Sequence, residues 1–212
     1  MSIVAALILG YMVGAMPTGY LLIRLVKKQD ITKVGSGRTG GTNAMRAGGL
    51  AIGVLTGVMD LAKGYLVVLL SEWLVPRAVP HAVWIHILTG ALGVLGHNWS
   101  IWLYLFTKRF NAGAGGAPTV GAAMAFWPGI ILVCVPIALV VLFIIGYASI
   151  ATISAAMLIT ILFAIRAAYY GQPWQYIFYG VLALILVCWA LRPNIQRLIN
   201  GTERRIGIFA RK

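Results

Sequence analysis

The chain has 212 residues, of which 61% are hydrophobic and only four are acidic, against 17 lysines and arginines. Soluble domains hold about 25% charged and about 45–50% apolar residues, so this composition excludes an ordinary soluble protein and leaves little room for a separate aqueous domain. The net charge of +13 fits contact with anionic headgroups and does not by itself imply nucleic acid.

The expected architecture is all-α: a polytopic membrane helix bundle of about seven transmembrane helices, with residues 1–212 as a single integral membrane unit. Cys134 and Cys188 both lie in apolar runs, so no disulfide framework is expected. The N-terminus shows no basic region and no cleavage site, so Met1 onward reads as a first span and not as a removed signal. That first run covers Ser2 to about Val26, long enough for a hydrocarbon core of about 30 Å. Gly14, Pro17 and Gly19 interrupt it, and Arg24, Lys27, Lys28 and Lys33 mark its far end as cytoplasmic.

Gly35-Ser36-Gly37-Arg38-Thr39-Gly40-Gly41-Thr42-Asn43-Ala44-Met45-Arg46-Ala47-Gly48-Gly49 follows, with six glycines and two arginines. Glycines admit positive φ and let backbone N–H groups approach an anion, and arginine adds a planar fork of donors suited to phosphate. The stretch reads as an oxyanion site at a membrane surface. It lacks the Gly-Lys-Ser/Thr ending of a Walker A loop, and nothing around it reads as a βαβ unit.

The second run, about Leu50 to Leu74, carries Asp60 and Lys63 on one helical face. Buried charge needs a partner or a wet site, so a structural ion pair and a substrate-facing pair both fit. After a connection from Val75 to His81, the third run spans about Ala82 to Phe106. His86 within it reads as a hydrogen-bonded helix residue, and Gly96-His97 stands near its end. A polar segment, Phe106 to Thr119, holds Lys108, Arg109 and the cluster Gly113-Ala114-Gly115-Gly116, which has the makings of an anion nest ahead of a helix N-terminus.

Ala117 to Arg166 is nearly uncharged, broken by Pro128, Pro136 and Gly146-Tyr147-Ala148-Ser149. If the glycine cluster and the arginine-rich tail both face the cytoplasm, an even number of crossings lies between them. The run Gln172 to Trp189 is one, which leaves three between Ala117 and Arg166. The fifth span is then short, about Pro136 to Gly146, and only Arg77 and Arg166 remain outside. The N-terminus lies outside. The tail, Arg192 to Ile206, combines Asn194, Arg197, Leu198, Gly201 and Glu203. Leu198 and Ile206 suit an interfacial helix, and Arg204, Arg205, Arg211 and Lys212 suit anionic lipid.

Three of these segments together resemble the signatures of the bacterial acyl-phosphate:glycerol-3-phosphate acyltransferases, integral membrane enzymes that make lysophosphatidate. In the first, Gly35, Ser36, Gly37, Gly40, Thr42, Asn43 and Arg46 match in order. In the third, Arg192, Asn194, Ile195, Arg197, Leu198, Gly201 and Glu203 match. The second opens on Gly96-His97 and then departs. Ser100 stands for the family proline, Trp102 for the phenylalanine, and Ala114 for the phosphate-binding lysine. The gap between His97 and the glycines is also longer. Leu191 stands where the third signature has histidine. Lys108, Arg109 and Arg38 are the candidates to supply the missing charge.

The resemblance implies transfer of an acyl group from acyl-phosphate to glycerol-3-phosphate, in phospholipid biosynthesis, at the cytoplasmic face of the bacterial inner membrane. It implies His97, Ser36 and Arg46 as catalytic residues, with His97 as general base. Thr42, Asn43, Arg38, Gly113, Gly115, Ser149, Asn194 and Glu203 would bind substrate, with Glu203 holding basic side chains in place. No cofactor and no metal is expected, and the partners are the two substrates and membrane lipid. Two alternatives stay open: a divergent relative acylating another phosphorylated acceptor, and a membrane anion transporter or binding protein.

Overall fold

A computed structural model describes residues 2–206, so Met1, Arg211 and Lys212 lie outside the described residues. The described residues are helical throughout, with one isolated antiparallel bridge between Trp99 and Asn111. In chain order the helices are α1 (Ser2–Gly14), α2 (Thr18–Lys27), α3 (Gly41–Gly48), α4 (Leu50–Leu74), α5 (Ala82–Asn98) and α6 (Ile101–Thr107). They continue with α7 (Gly116–Phe126), α8 (Ile130–Ile145), α9 (Ala148–Tyr170), α10 (Tyr176–Ala190) and α11 (Arg192–Ile199).

The second apolar run is α4 from end to end. The first run is interrupted where Gly14 and Pro17 stand, as expected, while the third, expected as one continuous span, is broken. Gly14 and Pro17 split α1 from α2, and the chain leaves α5 at Asn98 to start α6 at Ile101. Inside a membrane such breaks persist only if the freed backbone groups find partners. Here the two breaks serve one another. Ser100 Oγ donates to Ala15 O, and Lys63 Nζ donates to Met16 O at 2.6 Å. Trp102 Nε1 donates to Met12 O and the Tyr11 hydroxyl to Trp99 O, at 3.0 and 2.8 Å. Ser100 Oγ also accepts from Leu103 N, which caps α6.

Between Ala117 and Arg166 the structure has the expected three helices, but with different bounds. The middle one, α8, begins at Ile130 and carries Pro136 inside it. A membrane environment tolerates an internal proline because neighbours re-satisfy the freed carbonyl, so Pro136 does not mark a start. Seven full spans are not reached by length and composition. Three helical stretches are long and apolar enough to cross, Ser2–Lys27, Leu50–Leu74 and Ala148–Tyr170, or four if α10 and α11, bent by 65°, count as one. At 1.5 Å per residue, the 16-residue α8 is about 24 Å long, short of a core of about 30 Å.

The main core joins α4, α5, α7, α8, α9 and α10 around Val68, Ile87, Val120, Ile130, Ile159, Phe163 and Tyr179. The Tyr179 hydroxyl, fully buried, donates to Thr119 O at 2.8 Å. Membrane helices gain little from burying apolar surface against lipid, so close packing through small residues carries the association. At the α4–α7 contact, a Cβ added to Gly121 would lie 1.9 Å from Leu61 O. Gly121→Ala is therefore expected to destabilise the fold by about 1–3 kcal/mol through overpacking. An unchanged melting temperature in detergent would mean that α4 and α7 do not meet in this register.

Candidate active site

The glycine loop is built around Asn43. This residue sits in the first turn of α3 and is buried. Its Oδ1 accepts from Ser36 N at 3.1 Å, and its Nδ2 donates to Val34 O and Arg38 O at 3.0 and 2.8 Å. Gly35 and Gly37 adopt φ of +54° and +72°, which lets the chain curl around that amide. Ser36 and Arg38 are thereby presented outward.

Three segments then close on one another. Thr39 N donates to Ala112 O at 2.7 Å, joining the loop to the segment after α6. Arg109 Nη1, from that same segment, donates to Thr32 O at 2.7 Å. Arg38 Nη2 donates to Ala190 O at 2.6 Å, at the bend between α10 and α11. Between them lies a cavity of about 570 Å³, within the range of small-molecule sites.

Five arginines line this cavity: Arg38, Arg109, Arg192, Arg197 and Arg204. No Asp, Glu or His side chain is part of its lining among the described residues. Glu203 stands behind it, accepting from Arg197 Nε at 2.8 Å and from Asn194 Nδ2 at 2.7 Å. Burial, and then the neighbouring Arg197, hold the Arg38 guanidinium below its ordinary pKa, with Glu203 acting in the opposite sense. Arginine stays charged even so. The cavity therefore holds more positive charge than the protein neutralises, and an anion relieves it.

A second, apolar cleft of about 560 Å³ runs beside Tyr11, Leu95, Ile185 and Leu186, between α1, α5 and α10. It shares Trp99, Phe110 and Trp189 with the arginine cavity, so the two adjoin at that wall. Asn98, also in the cavity lining, donates through Nδ2 to Leu186 O at 3.2 Å, and its buried Oδ1 has no partner. That oxygen is packed against Gly115.

The structure brings Ser36, Arg38 and Gly113 into the cavity lining and leaves the other expected residues outside it. Asn43 is the clamp of the loop, with its amide fully engaged. Thr42 and Arg46 lie on α3; the Arg46 guanidinium is held low by burial and by Arg204, against the pull of Glu203. Gly115, with φ of +82°, caps α7 against Asn98. Ser149 is buried with no partner for Oγ, and Asn194 bonds Glu203. His97 is also buried. Its Nδ1 is 3.5 Å from Asp60 Oδ1, and its Nε2 faces Gly113, where an added Cβ would lie 2.0 Å away. His97 thus backs a lining residue, Gly113, and is not itself part of the cavity lining. Asn98, Trp99, Phe110, Trp189 and Arg204 join the site unannounced by the sequence pattern. The crowding of arginines at one end of the bundle was the available signal.

Among the described residues no group of three or more His, Cys, Asp or Glu is placed to hold a metal ion. The arrangement can bind phosphate groups next to an apolar chain.

Comparison with known proteins gives the same answer along the whole chain. The profile of a family described as "Glycerol-3-phosphate acyltransferase" matches residues 4–201. The glycerol-3-phosphate acyltransferase 2 of Moorella thermoacetica is 36% identical over 202 residues, covering 95% of this chain and 96% of the relative. The glycerol-3-phosphate acyltransferase of Halalkalibacterium halodurans is 31% identical over 197 residues, covering 93% and 92%. Among solved structures, PlsY, an integral membrane glycerol 3-phosphate acyltransferase, superposes in its glycerol 3-phosphate form with a TM-score of 0.82. The identity there is 29%, over 98% of this chain and 96% of that one. Its lysophosphatidic acid form gives the same TM-score at 27% identity, over 99% and 98%.

Proposed function

This chain belongs to the glycerol-3-phosphate acyltransferase family and is an acyltransferase, and we propose that it moves a fatty acyl group from an acyl-phosphate to the 1-hydroxyl of glycerol-3-phosphate. The product is lysophosphatidate, the entry to phospholipid biosynthesis. One observation supports the reading: an apolar cleft adjoins an arginine-lined cavity across a shared wall of Trp99, Phe110 and Trp189. An acyl-phosphate is apolar at one end and anionic at the other, and its acceptor carries a second phosphate.

The chemistry asks little covalent work of the protein. The acceptor hydroxyl attacks the carbonyl carbon, a new C–O bond forms, and the bond from that carbon to the phosphate oxygen breaks. Phosphate leaves with the electron pair. Holding both anions in one pocket turns the encounter into a unimolecular step, and the guanidiniums stabilise charge that grows on the leaving group. The hydroxyl proton goes to the departing phosphate, since no carboxylate or imidazole lines the cavity among the described residues. Ser36 and the loop beside it hold the acceptor's phosphate.

His97 then acts as a support for Gly113, not as a general base. His97→Gln, which retains a donor toward Asp60, is expected to keep more than a tenth of wild-type kcat. General acid–base groups typically contribute about 10²–10⁴-fold, so a loss of that size in the Gln variant would return the base role to His97.

The orientation follows from charge. The glycine loop, the segment carrying Lys108 and Arg109, and the α11 tail all meet at one end of the bundle, while Arg77 lies in the connection between α4 and α5 and Arg166 near the C-terminal end of α9. By the positive-inside rule that end is cytoplasmic. The reading completes this with seven crossings in the bacterial inner membrane, the N-terminus outside, and residues 1–212 as one unit. Membership of an acyltransferase family answers the transporter alternative. A different phosphorylated acceptor keeps one point in its favour: Ala114 and Leu191, where the signatures carry charged or polar groups, pack into one apolar cluster here.

The deciding experiment offers palmitoyl-phosphate with glycerol-3-phosphate, and with a panel of other polyol phosphates, to purified protein. Lysophosphatidate from glycerol-3-phosphate, faster than any other product, is expected. Folded protein that makes none would overturn the reading.

A further inference from the structure

Among the arginines that line the cavity, Arg204 comes from beyond the last helix, in an extended strap of residues 202–206. It stands among like charges. Arg38, Arg109, Arg192 and Arg197 line the same cavity, and Arg204 adds to burial in holding the Arg46 guanidinium low. Among the described residues no carboxylate forms an ion pair with Arg204. An exposed cation so placed turns out to water unless the backbone on either side is held.

The backbone is held on both sides. Upstream, Gly201 at φ +68° turns the chain back at the end of α11, and Thr202 N donates to Arg197 O at 2.8 Å. Glu203 then bonds Arg197 and Asn194 of that helix. Downstream, the anchor is the α8–α9 connection, which the sequence marks only as a polar break. Ile206 N donates to Gly146 O at 2.8 Å, and the Ile206 side chain is buried. Arg205 Nε donates to the Tyr147 hydroxyl at 3.1 Å, with Cζ 5.4 Å from the centroid of the Tyr147 ring. Neither Gly146 nor Tyr147 lines the cavity.

Resting on the reading of the cavity as a phosphate site, we propose that Tyr147 is a positioning residue for anion binding. Through Arg205, beside the bond from Ile206 N to Gly146 O, it keeps Arg204 in the cavity wall. With both of its neighbours fixed, Arg204 has only side-chain torsions left to order when an anion arrives, so less ordering opposes binding.

The test is calorimetric titration of inorganic phosphate into purified full-length protein in detergent, for wild type, Tyr147→Ala, Arg204→Gln and the double variant. Arg204→Gln is expected to raise the phosphate Kd by at least about ten-fold, the size of one charge-assisted hydrogen bond. Tyr147→Ala, which removes a hydrogen bond and a ring face from Arg205, should raise it by about five-fold or more. In the Arg204→Gln background the same change should raise it by less than about two-fold, because no guanidinium remains to be positioned. Tyr147→Phe keeps the ring and falls between wild type and Tyr147→Ala. If Tyr147→Ala does not fold, Arg205→Met breaks the same link from an exposed side chain, and the same cycle is read with it. A charge lost at Arg205 without any link to Arg204 would simply add to Arg204→Gln. Additive effects, or a phosphate Kd unchanged when the link is broken, overturn the proposal. Wild-type protein that binds phosphate but makes no lysophosphatidate overturns the transfer reading and leaves the positioning role standing. Wild-type protein that binds no phosphate overturns both.

Discussion

Replacing Asn43 by aspartate is expected to lower kcat/KM by about a hundred-fold or more, the scale seen when reacting groups are displaced by about an ångström. The substitution changes one atom. A carboxylate still accepts from Ser36 N, but it cannot donate to Val34 O and Arg38 O. It instead sets a buried negative oxygen against carbonyl oxygens, each losing its donor at about 1–3 kcal/mol. The loop then opens, and Ser36 and Arg38 lose their places in the cavity. Direct contact with substrate would also cost activity, so the discriminating measurement is thermal stability without ligand. Asn43→Asp lowers the melting temperature, whereas Ser36→Ala, exposed in the cavity lining, costs activity and leaves the melting temperature unchanged. Equal melting temperatures for all three proteins would remove the clamp and leave Asn43 as a substrate contact.

That contrast shows what the sequence made legible and what it did not. Gly35 to Arg46 stands out in the sequence because glycines, hydroxyls and arginines cluster between apolar runs, so the site's location was readable. The division of labour within it was not, because a pattern of residues does not record which side chain turns inward. α4 could be read end to end, since Leu50 to Leu74 has no proline and Pro76 follows just beyond it. The interruption after Asn98 was marked only by the short polar string His97-Asn98-Trp99-Ser100, too brief to end a span by itself. It depends on contacts far along the chain, Ser100 to Ala15 O and Tyr11 to Trp99 O, that close only in three dimensions. Pro136 misled for the opposite reason: a local breaker signal was overridden by surroundings that tolerate it. Arg109 belongs with the contacts far along the chain, because its place in the cavity is fixed by a bond to Thr32 O across 77 positions.

Asp60 and Lys63 supply the second large effect. On sequence alone their pairing fitted a structural lock and a substrate contact equally well. Both are buried and neither lines the cavity. Asp60 Oδ1 takes Lys63 Nζ at 2.9 Å, His97 Nδ1 at 3.5 Å and the Thr18 hydroxyl, while Lys63 also holds Met16 O. One carboxylate therefore ties α4 to the break between α1 and α2 and to the end of α5 behind Gly113. Asp60→Asn leaves the lysine charge buried without its counter-ion, at a cost of about 3–5 kcal/mol. A fall in melting temperature of more than about 5 °C is expected, given the few degrees per kcal/mol typical of chains this long. Adding Lys63→Met removes the stranded charge, and the double variant should recover most of the lost stability, since apolar replacement of a buried pair is often neutral or stabilising. Recovery of stability with activity still low would show that the cluster positions His97 and Gly113 beyond holding the helices together. A stable Asp60→Asn single variant that has lost only its affinity for glycerol-3-phosphate would instead make the pair a substrate contact. The geometry argues against that outcome, because Asp60 is buried outside the cavity lining and three segments converge on it at the breaks where the fold needs a tie.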